Sequence, residues 1–565
     1  MSLCLLFVFI LLNLLGNAVT EQVSVQTKFG TLRGFLSEPF NGKEQAEIYL
    51  NIPYALPPVG KLRFEKPQPY NLNWPDGRDA LNFGPGCLPM LNEHPVPVSE
   101  DCLSLNVFRP NKKKTDELLP VLVYVHGGGY AFGSSLIYGY QQLVENYVSH
   151  DLVVVTLNYR LGFFGFSSLG PNADYTSNLG LWDQTMAFRW IHENIKSFGG
   201  DPKRVTAQGL SAGAGSIGLL TLSPHSREFI GQTIEMSGSA HAMWAISPES
   251  IDYTHQFGKF IKCPVESGQL FKECLNKKTS DEMLKATTEF ITPTHKFLQF
   301  TPIHDNDFFP KPLEELMLEA PKIPNLVGST ELEAHYFIVM NKDMPINSMA
   351  VPPEKQSSYK KEHLAEYIHN FTHWFGHIFE NKKPFVQHEI LNFYSRGEKT
   401  TKLSDFYLQR LNDMTSDFFF SIPAVRMSQA RAAIGWPSYF YVNSHFNPDQ
   451  FPKDTPCKAS THANEYPYMN GLYPIGEFKF DEKDNQFQQV LNKVIVDFAK
   501  NGKPSENWPQ VTSKSTPHGH LTHKLEIVNE APFKEALEFW EELNTHLPHD
   551  FVPGLPKQTQ KKIEL

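Results

Sequence analysis

Two short runs limit what this chain can fold into. Leu119 to Val125 reads LPVLVYV and Leu152 to Leu157 reads LVVVTL, apolar at nearly every position. A strand with one wetted face alternates apolar and polar residues, so an unbroken apolar run needs cover on both faces. Further strand-length segments recur at Arg204 to Gly209, Ile230 to Met236, Ile323 to Gly328 and Tyr439 to Val442. Helix-like stretches separate them, Asn178 to Ser197 among them. Near the C-terminus Phe487, Val490, Leu491, Val494, Ile495 and Phe498 repeat at helical spacing, and that helix stops at Gly502 with Pro504 just beyond. This alternation predicts an α/β architecture with a central, mostly parallel β-sheet flanked by helices. No internal repeat or low-complexity linker divides the chain, so one large domain is expected.

Charge bears on partners rather than fold. The chain carries 51 Lys plus Arg against 61 Asp plus Glu, a net charge of −10. No basic face is expected, and therefore no nucleic acid or anionic membrane surface as partner. The run Lys112-Lys113-Lys114 is followed by Thr115-Asp116-Glu117 and reads as a solvated loop.

The two ends read as addresses. Met1 to Gly16, MSLCLLFVFILLNLLG, is apolar and uncharged, and Gly16-Asn17-Ala18 has the small-x-small pattern of a signal peptidase site. The expected boundaries are a signal peptide at 1–18, a folded domain at 19–561 and a tail at 562–565. An N-terminal membrane anchor is the alternative reading of the first run, although it is short for a span. No later segment is long and apolar enough to cross a bilayer. The tail, Lys562-Ile563-Glu564-Leu565, is similar to the KDEL-type signal read by a retention receptor. Residence in the endoplasmic reticulum lumen is expected, with secretion as the alternative.

Cysteine usage fits that compartment. Of six Cys, Cys4 lies in the leader. The local pairs Cys87/Cys102 and Cys263/Cys274 suggest two small disulfide loops, leaving Cys457 as a buried unpaired thiol. Neither paired CxxC motifs nor His clusters offer a metal site. Asn370-Phe371-Thr372 is the glycosylation acceptor.

The chemistry concentrates after one strand. Gly209-Leu210-Ser211-Ala212-Gly213 is a G-x-S-x-G pattern that follows a strand and opens a small-residue helix. Serine on so tight a turn sits at strained backbone angles, and flanking glycines let strand and helix approach without a Cβ clash. Upstream, the strand ending at Val125 runs into His126-Gly127-Gly128-Gly129-Tyr130. Consecutive glycines can aim backbone N–H groups at a carbonyl oxygen as it becomes anionic, worth roughly 3–4 kcal/mol per donor in acyl transfer. A phosphate loop would need Lys followed by Ser or Thr after the glycines, and neither is present.

With these motifs the chain resembles the type-B carboxylesterases, the family that includes the cholinesterases, within the α/β-hydrolase fold. The resemblance covers most of the chain. It runs through Asn51 to Gly60 (NIPYALPPVG), Arg63-Phe64, Glu100 to Val107 (EDCLSLNV), Asn158 to Gly162 (NYRLG), Asn178-Leu179-Gly180, Asp183-Gln184, Phe198 to Pro202 (FGGDP), Ser237-Gly238-Ser239 and Trp244. It implies partners for Ser211. The family acid lies in a segment like G-x-x-x-x-E-G, which places Glu333 in Gly328-Ser-Thr-Glu-Leu-Glu-Ala334; Ala replaces the usual Gly, and Glu331 is a rival. The histidine segment matches Thr461-His462-Ala-Asn-Glu465, with His462 as general base and Glu465 as a buried structural acid. Backbone N–H groups of Gly128, Gly129 and Ala212 would form the oxyanion hole. The resemblance also implies Cys87–Cys102 and Cys263–Cys274 disulfides, hydrolysis of a small-molecule ester through an acyl-Ser211 intermediate, and no cofactor or metal.

Substrate class narrows by contrast within the family. In cholinesterases the first disulfide loop carries a cation-binding Trp, and an acid precedes the nucleophile. Here Leu88 to Asp101 contains no aromatic residue, and Leu210 precedes Ser211. Neutral, apolar esters are expected. A specialised secreted esterase for hormone, pheromone or neutral-lipid esters is the alternative. An adhesion or binding role like that of the neuroligin-like members is less favoured, because Ser211, Glu333 and His462 are all in place.

Overall fold

The computed structural model describes residues 21–39, 44–90, 96–112, 117–291, 298–340, 349–374, 376–398, 405–547, 549–550 and 555–556. The leader with Cys4, Lys113 and Lys114 of the basic run, and the tail at 562–565 lie outside the described residues.

The expected sheet is present and larger than the apolar runs indicated. It has 13 strands. In chain order they are β1 (Gln22–Thr27), β2 (Gly30–Leu36), β3 (Ala46–Pro53), β4 (Trp74–Asp79), β5 (Ser104–Pro110), β6 (Leu119–Val125), β7 (Val153–Leu157), β8 (Gly200–Leu210), β9 (Gln232–Met236), β10 (Asn325–Thr330), β11 (Ser438–Asn443), β12 (His518–Leu521) and β13 (Leu525–Val528). Across the sheet the order is β1-β2-β3-β5-β7-β6-β8-β9-β10-β11-β12-β13, with β4 beside β2. From β7 to β12 every neighbouring pair is parallel. Antiparallel pairs extend both ends, through β1, β2, β3 and β5 on one side and β13 on the other, while β4 lies parallel to β2.

The continuous apolar runs occupy the positions their composition requires. Every residue of β6 and of β7 is buried. Helices cover both faces, among them α1 (Leu179–Asn194), α2 (Ala212–Leu220) and, later in the chain, α5 (Glu482–Asn501), whereas α3 (Glu249–Phe260) and α4 (Lys361–Trp374) pack mainly on other helices. Two large buried clusters result: one holds Val121, Val123 and Ile217, the other Leu122, Tyr124 and Phe498. They take alternate residues of β6, as the two-residue period of a strand demands. Helix α5 begins with a capping box at Asp481 and Asp484 and ends at Gly502 in the left-handed region, φ 71°.

Strand order creates the site. The chain passes from β6 to β7 on one side, then crosses back to place β8 on the other side of β6 and continues outward. At such a reversal the connections leave in opposite directions, and a crevice opens beyond the carboxyl ends of the strands. His126-Gly127-Gly128-Gly129 follows β6, Ser211 follows β8, Glu333 follows β10, and His462 lies in the chain after β11.

Both disulfides form as the pairs Cys87–Cys102 and Cys263–Cys274. Cys457 is free and only partly buried; its thiol donates to Asp405 Oδ2 at 3.3 Å. Burial is the main cause that pushes this thiol far above its ordinary pKa, with the Asp405 charge next, so it is held protonated. Asn370 is exposed on α4, and the Thr372 hydroxyl donates to the His369 carbonyl at 2.9 Å.

Candidate active site

Ser211 sits between β8 and α2 with φ 61° and ψ −125°, a backbone state that β-carbon sterics disfavour. Three contacts hold it there. Its N–H donates to Met236 O at the end of β9 (2.9 Å), and its carbonyl accepts from Gly215 N (2.9 Å). The third is close packing at the glycines. A Cβ on Gly213 would stand 2.2 Å from Val125 O, and one on Gly209 would stand 2.6 Å from Gly213 C. Neither position tolerates a side chain, so the spacing in G-x-S-x-G is a packing requirement here.

The glycine loop faces this turn. Gly128 and Gly129 take φ 107° and 61°, and Gly129 lines the same cavity as Ser211. Among the described residues no acceptor is paired with the N–H of either glycine. Ala212 is the first residue of α2, so its N–H has no intrahelical acceptor. His126 supports the loop and lies outside the cavity lining. It is buried, its Nδ1 is 2.9 Å from Gly127 O, and it stacks on Tyr159. Burial lowers its pKa to about 4, so it stays neutral near pH 7.

Glu333 and His462 meet in the interior. His462 Nδ1 lies 2.7 Å from Glu333 Oε2, with both side chains almost fully buried. The other carboxylate oxygen is anchored: Oε1 accepts from Thr330 N (2.7 Å) and Ser329 Oγ (3.2 Å) at the end of β10. The backbone adds a contact from His462 N to Glu333 O at 3.4 Å. An ionised carboxylate only accepts, so Nδ1 carries the proton and Nε2 is left as the free base. Glu331, two residues away, is exposed and does not bond His462. Ala334 does not take a left-handed φ, so the glycine usual in this segment has no conformational task here.

Ser211 and His462 share walls. The His462 ring packs on Phe337 and Phe420, with centroids 5.0 and 4.9 Å away, and these two rings stack 6° from parallel. Both rings, together with Ser211, Gly129, Met243, Trp244, Trp374 and Phe419, line a cavity of about 100 Å³. Trp244 is fixed by its Nε1–H, which donates to Phe419 O at 2.7 Å. Sequence reasoning placed Trp244 by resemblance but missed the other aromatics. They come from two π-helical turns, Tyr336–Met340 and Asp417–Ser421, and from the end of α4. The run Phe418-Phe419-Phe420 was the available signal, but an apolar triplet does not declare which ring faces a cavity.

Glu465 is fully buried behind this pair. Burial first, and the Glu333 charge second, raise its pKa to about 8. Its folded pKa thus exceeds the ordinary value of 4.5, and the folded state holds the proton more tightly than the unfolded chain. This stabilisation is complete below pH 4.5 and is lost as pH rises through about 8. Glu465→Gln should therefore make stability less steep in pH, by on the order of 4 kcal/mol over that window. Thermal midpoints of both proteins from pH 5 to 9 check it; parallel curves would count against a buried neutral Glu465.

Comparison with known proteins identifies the family. The model of the carboxylesterase family matches residues 21–540. Gut esterase 1 of Caenorhabditis briggsae is 35% identical over 95% of this chain and 95% of its own length. Mouse carboxylesterase 5A is 30% identical over 87% of this chain and 84% of its own length. Mouse cholinesterase is 29% identical over 95% and 89%. Mostly parallel sheet, helices on both faces and a single large domain are those of an α/β-hydrolase, and the chain belongs to the carboxylesterase family.

Proposed function

We propose that the protein is a serine carboxylesterase that hydrolyses neutral, apolar carboxylic esters through an acyl-Ser211 intermediate. The observation that carries this reading is the buried Glu333–His462 pair, which opens on the aromatic walls of the cavity containing Ser211. In this mechanism His462 Nε2 takes the Ser211 proton as Oγ attacks the ester carbonyl, and returns it to the leaving alcohol. Glu333 orients the ring and stabilises its protonated form. The N–H groups of Gly128, Gly129 and Ala212 receive the oxyanion. Water then releases the acid through the same histidine. The lining around Ser211, apolar apart from Ser247, Thr301 and Glu249, supports esters with apolar chains over anionic ones. A panel of p-nitrophenyl esters from acetate to octanoate tests the reading. Broad acceptance supports a general carboxylesterase, a single sharp optimum supports a specialised one, and no Ser211-dependent turnover sinks both.

The proposed location is the endoplasmic reticulum lumen, entered through the leader at 1–18 and kept by receptor recognition of Lys562-Ile563-Glu564-Leu565. Exposed Asn370 is then a glycan acceptor. Cells expressing a chain ended at Lys561 should release it into the medium while retaining the full chain; equal release would favour a secreted enzyme.

A further inference from the structure

Of the positions whose chemistry argued against cationic esters, the described ones do not line the cavity that holds Ser211. Leu210 is buried in the sheet core, and the described part of the first disulfide loop lines a separate small cavity beside Arg63 and Phe64. The cavity that holds Ser211 carries one charged side chain among the described residues, Glu249. Its backbone N–H donates to Ser247 Oγ at 3.3 Å, and among the described residues no Arg, Lys or His pairs with its carboxylate. It is the first residue of α3, where the amide dipoles favour an acid. That placement accounts for an acid at the helix start. It does not account for its place in the lining of this cavity, which is mostly apolar (Met243, Trp244, Phe419 and Phe420 among others) with Ser247 and Thr301 as the neighbouring polar members.

A carboxylate in such a wall acts on whatever shares the cavity. Glu249 is partly buried in that lining, so its charge is screened less than it would be in bulk water and a second charge on the bound ester feels it. An anion there is repelled, whereas an ammonium group or a hydrogen-bond donor gains a partner. We infer that Glu249 is a charge filter for the ester: it selects against chains that end in an anion and in favour of chains that end in a cation or a donor. The inference rests on the reading of Ser211 as an esterase nucleophile, and it adds the class of substrate end-group that the site prefers.

The test uses two isosteric series on the full-length protein. In one, p-nitrophenyl hexanoates end in trimethylammonium, tert-butyl or carboxylate. In the other, butyrates of choline, of its tert-butyl isostere and of the matching hydroxy acid place the same ends on the alcohol. Each charged ester is reported as kcat/KM relative to its tert-butyl partner, so any loss of active protein cancels. In Glu249→Gln the ammonium ratio should fall about tenfold and the carboxylate ratio rise about tenfold, in the series whose end reaches Glu249. Tenfold corresponds to 1.4 kcal/mol. Glu249→Asp, which keeps the charge, should stay close to the wild-type ratios. Ratios within twofold of wild type in both series for Glu249→Gln would overturn the filter, and so would equal changes in both variants. Absence of Ser211-dependent turnover of the tert-butyl esters would instead overturn the esterase reading itself.

Discussion

Ser211→Ala is expected to lower kcat for any accepted p-nitrophenyl ester by about 10⁵–10⁶-fold, with the fold intact. The magnitude is that of removing the nucleophile from a group of residues that acts as a unit. What survives should be a residual acceleration over water of about 10³–10⁴, supplied by the oxyanion donors and by binding. The fold should tolerate the change because Ser211 is held by backbone contacts: its N–H to Met236 O and its carbonyl to Gly215 N. Alanine keeps both. It also keeps the small Cβ that the positive φ of 61° already accommodates. Steady-state kinetics with a matched thermal midpoint check the expectation. Full activity in Ser211→Ala would transfer catalysis to another residue.

How much of this was legible in sequence depends on how local each signal was. The buried strands were legible because a residue run such as LVVVTL has only one comfortable environment, and β7 is buried at every position. Ser211 and the glycine loop were legible because their constraints lie within five residues of chain: Gly209 and Gly213 are required by contacts within 3 Å of the serine turn. Glu333 and His462 were placed through family resemblance. Their 2.7 Å contact joins residues 129 apart, and no periodicity reports such a distance.

The extension of the sheet at its N-terminal edge was not read, for a physical reason. Strands β1, β2 and β4 are partly exposed, with charged residues such as Arg33 and Asp79 paired on their open face. Their pattern lacks the continuous apolar run that marked the parallel strands. The cavity wall was illegible for a different reason. Phe337 and Phe420 owe their aim to π-helical turns, whose extra residue per turn rotates side chains relative to a regular helix. Sequence spacing assumes the regular period and points them elsewhere. Glu249 shows the same limit: as an acid at a helix start it looks ordinary, and only the fold places it in the lining of the cavity that also holds Ser211.

Glu333→Gln is the second large effect, with kcat expected to fall about 10⁴-fold while Glu331→Gln stays within a few-fold of wild type. The amide can occupy the same space, but its NH₂ or its neutral oxygen meets His462 Nδ1 in place of a carboxylate. If the NH₂ faces the ring, Nδ1 must accept, the proton moves to Nε2, and the base that Ser211 needs is gone; this wrong-tautomer loss is about 10⁴ in serine hydrolases. Thr330 N and Ser329 Oγ bias the amide toward that arrangement. Both donate to Glu333 Oε1 and so hold an acceptor oxygen at their side, which leaves the NH₂ toward His462. Glu331 has no comparable part, because its side chain is exposed and its backbone N–H, bonded to Asn443 O at 3.0 Å, survives the substitution. Measuring kcat for both variants across pH 6 to 9 separates the two acids. A large loss in Glu331→Gln with little in Glu333→Gln would reverse the assignment and require His462 to turn away from the carboxylate it meets in the folded protein.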